Sequence, residues 1–469
     1  MRKTKIICTI GPACDNKETL VAMAKAGMNV ARLNFSHGTH DEHLKKIKLL
    51  KEVREELGLP IAILLDTKGP EYRIKTFENK EIELSIGDRF IFTTDDIIGN
   101  KDRVSVTYKN LNKDLTKGDI ILLNNGLLKF EVIDIVGNDI ITNVVVGGKL
   151  SSSKSMSFPG KVLKQPFLSD ADKDDLKFGV ENEVDFFACS FVSTRQDLID
   201  LKNYLNSIGY EPKDSIIAKI ENQAGIDNVS DICEECDGIM IGRGDMGVEI
   251  PFEELPAAQK RIVTKSRMKG KRVIIATEML ESMITNTRPT RAEISDVANA
   301  VYDGASAIML SGETASGNNP VLAVETMAKI AETTEGHIDY NHKFDQSDFK
   351  IRSNVDAVSH ATVCMAKDVG ATAIATCTRS GSTARMISRF RPSMDILGIT
   401  TDKETYYRLS LSWGVTPMLT SLYDSTDEMF SGAKERLLEF GLQSGDSAVI
   451  TGGTSTETGN TNLIKIETI

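Results

Sequence analysis

Short runs of Ile, Val, Leu and Ala alternate with amphipathic helical segments through most of this 469-residue chain, and that alternation limits the folds it can adopt. Uninterrupted apolar runs of this kind are typical of strands buried on both faces of a parallel sheet. The eight predicted strands cover residues 5–10, 28–35, 61–66, 184–191, 215–221, 238–242, 273–277 and 305–310. Eight strand–helix units predict an α/β fold with a closed (β/α)8 TIM barrel, with a doubly wound open sheet as the alternative.

The alternation stops at residue 70 and resumes after residue 164. Between these positions lie short β-rich runs separated by turn residues, which predict a small inserted β-barrel or sandwich. A second strand–helix series follows a polar stretch near residues 336–348 and predicts an open α/β domain. We therefore expect the barrel to comprise residues 1–69 and 165–340, the inserted lid domain residues 70–164, and the C-terminal domain residues 341–469.

Charge and cysteine content exclude several classes of protein. The net charge of −11 argues against a general nucleic-acid or anionic-membrane binder, so any anionic ligand must be held by local cations. No run approaches the roughly 18 apolar residues that span a bilayer. Seven scattered cysteines do not form a disulfide framework, and the expected location is the cytoplasm.

Polar side chains collect at the predicted carboxyl ends of the strands, where TIM barrels carry their active sites. On the second strand Arg32, Asn34 and Ser36 alternate and so face one side. On the fifth strand Lys219 and Glu221 share a face, and Asp245 follows the sixth strand. Two neighbouring carboxylates suit Mg²⁺, which completes its octahedron with substrate oxygens and water. Solvated carboxylates and turn residues are the alternative interpretation.

Eight sequence strings carry a close resemblance to pyruvate kinase over nearly the whole chain, of the bacterial type without an additional C-terminal domain. They are TKIICTIGPAC at 4–14, MNVARLNFSHG at 28–38, LDTKGPE at 65–71, KIEN at 219–222, GRGDMGVEIP at 242–251, MLESM at 279–283, RPTRAEISDVANAV at 288–301 and IMLSGETA at 308–315. The resemblance implies transfer of a phosphoryl group from phosphoenolpyruvate to ADP, giving pyruvate and ATP. It also implies a homotetramer, small-molecule substrates, and neither a nucleic-acid nor a membrane partner.

The resemblance also implies roles for individual residues. Glu221 and Asp245 would hold Mg²⁺ or Mn²⁺, and Lys219 would stabilise the transferring phosphoryl group and the enolate. Arg32 would bind the phosphate. Thr277 would be catalytic, near the face where the enolate is protonated. The remaining positions implied are Gly244 on the phosphoenolpyruvate side and His37, Arg73 and Lys154 on the ADP side.

A potassium site is implied as well. Its ligands would be Asn34, Ser36, Asp66 and the backbone carbonyl of Thr67. Glu71 supports K⁺ dependence, because in the resembling family a Lys at this position would supply the positive charge itself.

In the C-terminal domain, residues 378–383 follow a predicted strand and open a helix, where backbone N–H groups can bind phosphate. On spacing alone they are an ordinary helix cap, but the resemblance implies an allosteric sugar-phosphate loop made of Thr378, Arg379, Ser380, Gly381, Ser382 and Thr383. Residues 452–459 would form a second effector loop. Fructose 1,6-bisphosphate is the first choice of effector, and a sugar monophosphate or AMP the second.

Some positions depart from the family pattern. Asn125 stands where a lid aspartate could latch onto Arg32, and the residues around Lys154 differ from the usual string. His37, His40 and His43 are expected to be solvated at a helix start, and Cys233 and Cys236 to be incidental to function. Trp413, the only tryptophan, is expected to be core or interface packing.

Two other functions use the same residues. A Mg²⁺-enolate lyase or aldolase would share Lys219, Glu221 and Asp245 but needs neither a K⁺ site nor a nucleotide-covering lid. An inactive metabolite-sensing scaffold would keep only the effector loop, and the intact Lys219, Glu221 and Asp245 argue against it.

Overall fold

We describe a computed structural model of the chain, in which residues 1–453 and 461–469 are placed. The chain begins with strand, helix, strand, helix, strand, as the apolar periodicity predicts. These elements are β1 (Lys5–Thr9), α1 (Lys17–Ala26), β2 (Val30–Asn34), α2 (His40–Leu57) and β3 (Ala62–Asp66). Helix α2 has the predicted bounds because both ends are capped: Thr39 and Glu42 form a capping box, and Gly58 ends it at φ 62°.

The insert is built almost entirely of strands. They are β4 (Glu81–Leu84), β5 (Arg89–Thr93), β6 (Arg103–Ser105), β7 (Ile120–Leu123), β8 (Leu128–Val136), β9 (Asp139–Val146), β10 (Gly148–Ser151) and β11 (Met156–Ser157), with one short helix, α3 (Leu111–Asp114). Six strands form a sheet in the order β11-β7-β8-β9-β5-β6, and β10 pairs with β4. Isolated β-bridges join Arg73 to Ser155 and Ile74 to Val106. Residues 73–74 therefore connect the two edges of the six-stranded sheet, and the insert has an apolar core separate from that of the barrel.

The barrel then resumes with five strands and their helices. The elements are α4 (Asp170–Glu181), β12 (Phe186–Cys189), α5 (Arg195–Ser207), β13 (Ile216–Ile220), α6 (Gln223–Asp227), α7 (Val229–Glu235), β14 (Gly238–Gly242), α8 (Arg243–Glu249), α9 (Leu255–Met268), β15 (Arg272–Ala276), α10 (Arg291–Asp303), β16 (Ala307–Leu310), α11 (Gly312–Ala315) and α12 (Pro320–Glu335). Strand β12 is shorter than predicted because Phe191 has a left-handed φ of 58° and ends the extended run.

The eight strands close into a parallel barrel in the order β1-β16-β15-β14-β13-β12-β3-β2, which confirms the TIM barrel and excludes the open sheet. Inward-facing apolar side chains fill its interior, among them Val30, Leu64 and Ile217. Side chains alternate along a strand, so the residue two positions further on points inward as well. Those residues are Arg32, Asp66 and Lys219, which therefore form the uppermost layer of the barrel interior.

The C-terminal part is the predicted α/β domain. Its elements are α13 (Tyr340–Asp345), α14 (Asn354–Asp368), β17 (Ala373–Cys377), α15 (Ser382–Ser388), β18 (Asp395–Thr400), α16 (Lys403–Leu409), β19 (Val415–Leu419), α17 (Thr426–Phe440), β20 (Ser447–Gly452) and β21 (Leu463–Thr468). The sheet order is β19-β18-β17-β20-β21, with only the last strand antiparallel. Among the residues placed, no helix combines the length and the apolar character needed to cross a bilayer.

Buried contacts join this domain to the base of the barrel. Leu411 packs into the barrel-interior cluster, and Trp413 is buried between Lys3 and Arg391. Asp214 accepts two hydrogen bonds from Arg272, at 2.6 and 2.7 Å, and pairs with Arg385 of α15 at 2.5 Å. One carboxylate thus links a barrel strand to the helix that follows the predicted effector loop.

Candidate active site

A polar cavity of about 380 Å³ opens at the carboxyl ends of β2, β3, β13 and β14. The insert supplies one wall, including Arg73 and Asn125, and the barrel supplies the other. Most of the predicted site residues line this cavity: Arg32, Asn34, Ser36, His37, Arg73, Lys219, Glu221 and Asp245. The structure therefore brings together residues that are more than 200 positions apart in the chain.

A buried carboxylate organises the barrel side of the cavity. Asp66 Oδ2 accepts from Arg32 Nε at 2.6 Å, and Asp66 Oδ1 accepts from Lys219 Nζ at 3.0 Å. Burial by itself would raise the pKa of Asp66, but Arg32 and Lys219 lower it below its ordinary value. Asp66 is therefore ionised and holds two cations side by side at the cavity wall.

Lys219 is held from three directions. Its ammonium pairs with Asp66 and with Glu221 Oε1 at 3.1 Å, and it donates to Ser190 Oγ at 2.7 Å. Burial opposes the charge, but the two carboxylates outweigh it and raise the pKa of Lys219. The side chain is thus a permanently charged, immobilised point charge, which can stabilise negative charge developing on a substrate.

Two neighbours fix the position of Glu221: a backbone N–H donates to it, and Gly242, which has no side chain, leaves room for it. Its Oε2 accepts from the N–H of Phe191 at 2.9 Å. A Cβ at Gly242, on the neighbouring strand, would lie 2.6 Å from Glu221 Oε1, so only glycine leaves room for the carboxylate. Burial raises the pKa of Glu221 to about 7. The negative charges of Asp245 and Asp66 add to this increase, whereas the positive charge of Lys219 opposes it.

Glu221 and Asp245 form a donor set that fits a divalent cation. Glu221 is buried and Asp245 projects into the cavity, and loss of water around Asp245 raises its pKa too. Two neighbouring carboxylates that disfavour each other's charge are stabilised by a cation between them. Within residues 1–453 and 461–469 no group of three or more His, Cys, Asp or Glu forms a protein-only metal cage. The set therefore suits Mg²⁺, which keeps water and substrate ligands, better than a structural metal.

The predicted potassium ligands lie close to this network. Asn34 and Asp66 are register neighbours on β2 and β3, and Asn34 Oδ1 accepts from the Ser36 N–H at 3.1 Å. The Thr67 carbonyl accepts from Ser190 Oγ at 2.7 Å. These oxygens belong to adjacent strand ends, but both oxygens of Asp66 and the Thr67 carbonyl are already hydrogen-bonded within the protein.

Strained backbone ends β15 beside the cavity. Thr277 and Glu278 have left-handed φ values of 70° and 55°, which cost energy for residues other than glycine. The Thr277 carbonyl accepts from Arg243 at 2.6 and 3.2 Å, and the Thr277 hydroxyl accepts from the Gly244 N–H at 2.9 Å. That hydroxyl itself donates to Ala276 O, and neither Thr277 nor Gly244 lines the cavity. Thr277 therefore holds the first turn of helix α8, which carries Asp245.

The predicted nucleotide residues separate into two groups. Arg73 and His37 line the cavity, and Arg73 forms an ion pair with Glu71, which also pairs with Lys68 at 3.3 Å. Lys154 is not among the lining residues, although its carbonyl accepts from Ile74 N at 3.0 Å. Asn125 lines the cavity with a left-handed φ of 57° in the β7–β8 turn, so the insert contributes an amide there.

The histidine prediction is wrong for one of the three residues. His37 and His40 are exposed as expected, and His40 also bonds Asp175 of α4 at 2.6 Å. His43 is instead buried and stacks on Phe35 with ring centroids 3.9 Å apart. Cys233 and Cys236 are buried free thiols.

The predicted effector loop lies at the start of α15, with Gly381 at φ 76°. Arg379 is exposed, and the hydroxyl of Thr383 is 2.7 Å from that of Thr461. Most of the predicted second loop, residues 454–459, falls outside the described residues. Site residues that sequence reasoning missed are Ser190, Phe191, Gly242 and Arg243. Gly242 and Arg243 lie in a glycine-rich string, whereas Ser190 and Phe191 carry no sequence signal.

Comparisons with known proteins find relatives over the full length of the chain. The pyruvate kinase barrel-domain model matches residues 1–324, and the pyruvate kinase alpha/beta-domain model matches residues 356–467. A pyruvate kinase of Bacillus licheniformis is 46% identical over 471 residues, covering 99% of this chain and 80% of that protein. One of Clostridium acetobutylicum is 43% identical and covers 100% of both chains. The crystal structure of a pyruvate kinase from Cryptosporidium parvum superimposes with a TM-score of 0.94 at 38% identity, covering 100% of this chain and 96% of that one.

The contact between Gly242 and Glu221 yields a test. Gly242→Ala should lower the free energy of unfolding by about 1–3 kcal/mol, because the added methyl group overlaps a buried carboxylate. Gly247→Ala is the matched control, since its Cβ would meet only Leu255 Cδ2 at 3.7 Å. Chemical denaturation measures both variants, and equal stabilities would contradict the assigned position of Glu221.

Proposed function

Because this chain belongs to the pyruvate kinase family and is a phosphotransferase, we propose that phosphoenolpyruvate and ADP react in the cavity at the barrel mouth, with Mg²⁺ and K⁺ bound beside them. The observation that carries this proposal is the immobilised Lys219 beside Arg32, with two carboxylates of raised pKa facing the same cavity. Together they supply fixed positive charge for a phosphate and a donor set for a divalent cation.

The protein's residues divide the work between binding and charge stabilisation. Asp66 holds Arg32 Nε and Thr9 Oγ1 accepts from Arg32 Nη1 at 2.9 Å, so the other terminal nitrogen remains for the substrate phosphate. Lys219 offsets the charge on the transferring phosphoryl group and then on the enolate oxygen. Glu221 and Asp245 would hold Mg²⁺, which would supply Lewis-acid stabilisation of the negative charge.

The reaction exchanges one P–O bond for another. The bond between phosphorus and the enol oxygen of phosphoenolpyruvate breaks, and phosphorus bonds to a terminal oxygen of ADP. Arg73 on the insert wall and His37 on the barrel wall border the part of the cavity where ADP would bind. Lys154 is proposed to approach this part of the cavity when the insert closes over it. The enolate left behind takes a proton at carbon to give pyruvate. Thr277 holds the first turn of α8 on the side of the cavity where this protonation is proposed. The proton donor is not assigned.

An all-oxygen K⁺ site completes the proposal. Asn34, Ser36, Asp66 and the Thr67 carbonyl lie at the ends of β2 and β3, next to the phosphate-binding Arg32. Exchange of the hydrogen bond between Ser190 and Thr67 for a cation would free that carbonyl. Glu71 lines the cavity, and its negative charge is consistent with a monovalent cation nearby.

A coupled assay of ADP-dependent pyruvate formation tests the main proposal. Lys219→Met should lower kcat by about 10²–10³-fold or more, because the fixed charge on the transferring group is lost. Chelation of divalent cations should abolish activity, and added Mg²⁺ should restore it. Lys329→Met, at an exposed position on α12, is the control and should keep full activity. Absence of an ADP-dependent product would reject the proposal in favour of a lyase, an aldolase or a sensing scaffold.

Potassium dependence is tested by replacing the cation at constant ionic strength. Activity in K⁺ should exceed that in tetramethylammonium at least tenfold. Ser36→Ala should raise the K⁺ concentration for half-activation with little change in maximal rate, because it removes one exposed oxygen ligand. Equal rates with both cations would contradict the K⁺ site without affecting the assignment of Lys219.

We also propose that a sugar phosphate binds the loop of residues 378–383 and activates the enzyme. The loop presents exposed Arg379 at the start of α15, and that helix carries Arg385 to Asp214 of the barrel. Fructose 1,6-bisphosphate, a sugar monophosphate and AMP should be compared at subsaturating phosphoenolpyruvate. Arg379→Gln should abolish the response and Arg261→Gln, on exposed α9, should preserve it. A flat response to all three compounds would reject this regulation.

A further inference from the structure

A second large cavity lies between the barrel and the C-terminal domain, and none of its lining residues borders the barrel mouth. Its volume is about 500 Å³. Helices α7 and α9 with residues 269–271 form one wall, and residues 348–352 with α14 and α15 form the other. We call it the seam cavity.

The charge of the seam cavity opposes that of the chain. Six cationic side chains and three carboxylates line it, in a protein with a net charge of −11. Among the residues described, Lys265, Lys350 and Arg352 have no ion-pair partner. Lys271 Nζ donates only to the carbonyl of Cys236, at 2.7 Å. The cavity therefore carries positive charge that the protein does not neutralise.

Arg389 provides donors at the inner end of the cavity. It is only 5% exposed, and its Nε has no hydrogen-bond acceptor within the described part of the chain. Its Nη2 pairs with Asp356 Oδ1 at 3.0 Å. A buried donor without an acceptor is unfavourable, so an acceptor that enters the cavity is stabilised there.

We propose that the seam cavity binds a small phosphate-bearing anion, with Arg389 as its buried anchor and Lys265, Lys350 and Arg352 as the cations at its entrance. A guanidinium with an unpaired N–H can donate to a phosphate oxygen, and several ammonium groups suit the double charge of a phosphate. Met268, Phe349 and Met386 complete the wall, so a phosphate ester can rest its organic part on apolar surface.

This site is distinct from both sites already described. Residues 378–383 do not line it, although α15 connects the two: the loop precedes the helix and Arg389 follows it. Seven helical residues span about 10 Å. Because both domains contribute side chains, an occupied seam cavity fastens the C-terminal domain to the barrel. The inference does not rest on the proposed function.

Crystals of the full chain soaked in selenate locate the site, because selenium scatters anomalously and mimics a tetrahedral dianion. We expect an anomalous peak within hydrogen-bond distance of Arg389. In solution, inorganic phosphate should raise the melting temperature, and a phosphate ester such as glycerol 3-phosphate should raise it further if the apolar wall is used. Equal effects of the two anions would restrict the ligand to inorganic phosphate.

Substitutions of exposed side chains are used here, so that misfolding does not account for a loss of phosphate binding. The triple substitution Lys265→Gln, Lys350→Gln, Arg352→Gln should weaken phosphate binding at this site at least tenfold by isothermal titration, with basal activity unchanged. The selenate peak should also disappear.

The control removes the same three charges elsewhere. Lys25→Gln, Lys117→Gln, Lys329→Gln changes exposed positions that do not line the cavity, and should leave phosphate binding as in the unmodified protein. Identical binding by both triple variants, or ordered water alone beside Arg389 in the soaked crystals, would overturn the proposal.

Discussion

The ion pairs of Asp66 are the interaction on which the candidate active site depends. This carboxylate lies at the end of β3 and receives Arg32 from β2 and Lys219 from β13. Removing one partner from such a buried set leaves an uncompensated charge, which costs about 3–5 kcal/mol. The arrangement therefore fixes two cations next to each other at the cavity wall.

The opposite side of the cavity concentrates negative charge and strain. The negative charge of Asp245 disfavours ionisation of Glu221. The first turn of α8, which carries Asp245, lies against Thr277 and Glu278, two residues with left-handed backbone. Arg243 bonds Thr277 and Asp296, at 2.8 Å to the latter, and so holds that turn in place. Costs of this kind persist at functional sites because the surrounding packing and hydrogen bonds outweigh them.

Cations in this acidic chain are gathered at two distant places. One is the barrel mouth, and the other is the seam between the barrel and the C-terminal domain. Between them, Leu411 closes the base of the barrel and Asp214 connects β15 to α15. Buried contacts thus connect the C-terminal domain to the barrel whose strands carry the proposed catalytic side chains.

The sequence by itself determined the elements and the residues at their ends. Apolar periodicity and capping residues located the barrel strands and set α2 to its observed bounds, because these signals are local. The polar residues after each strand predicted the site, since parallel strands end at one edge of a barrel. What only the tertiary structure decided is which groups meet: Ser190 with Lys219, the Phe191 N–H with Glu221, and the space that Gly242 leaves. The burial of His43 and the unpaired Nε of Arg389 were decided in the same way. These depend on packing between segments distant in the chain, which no local pattern records.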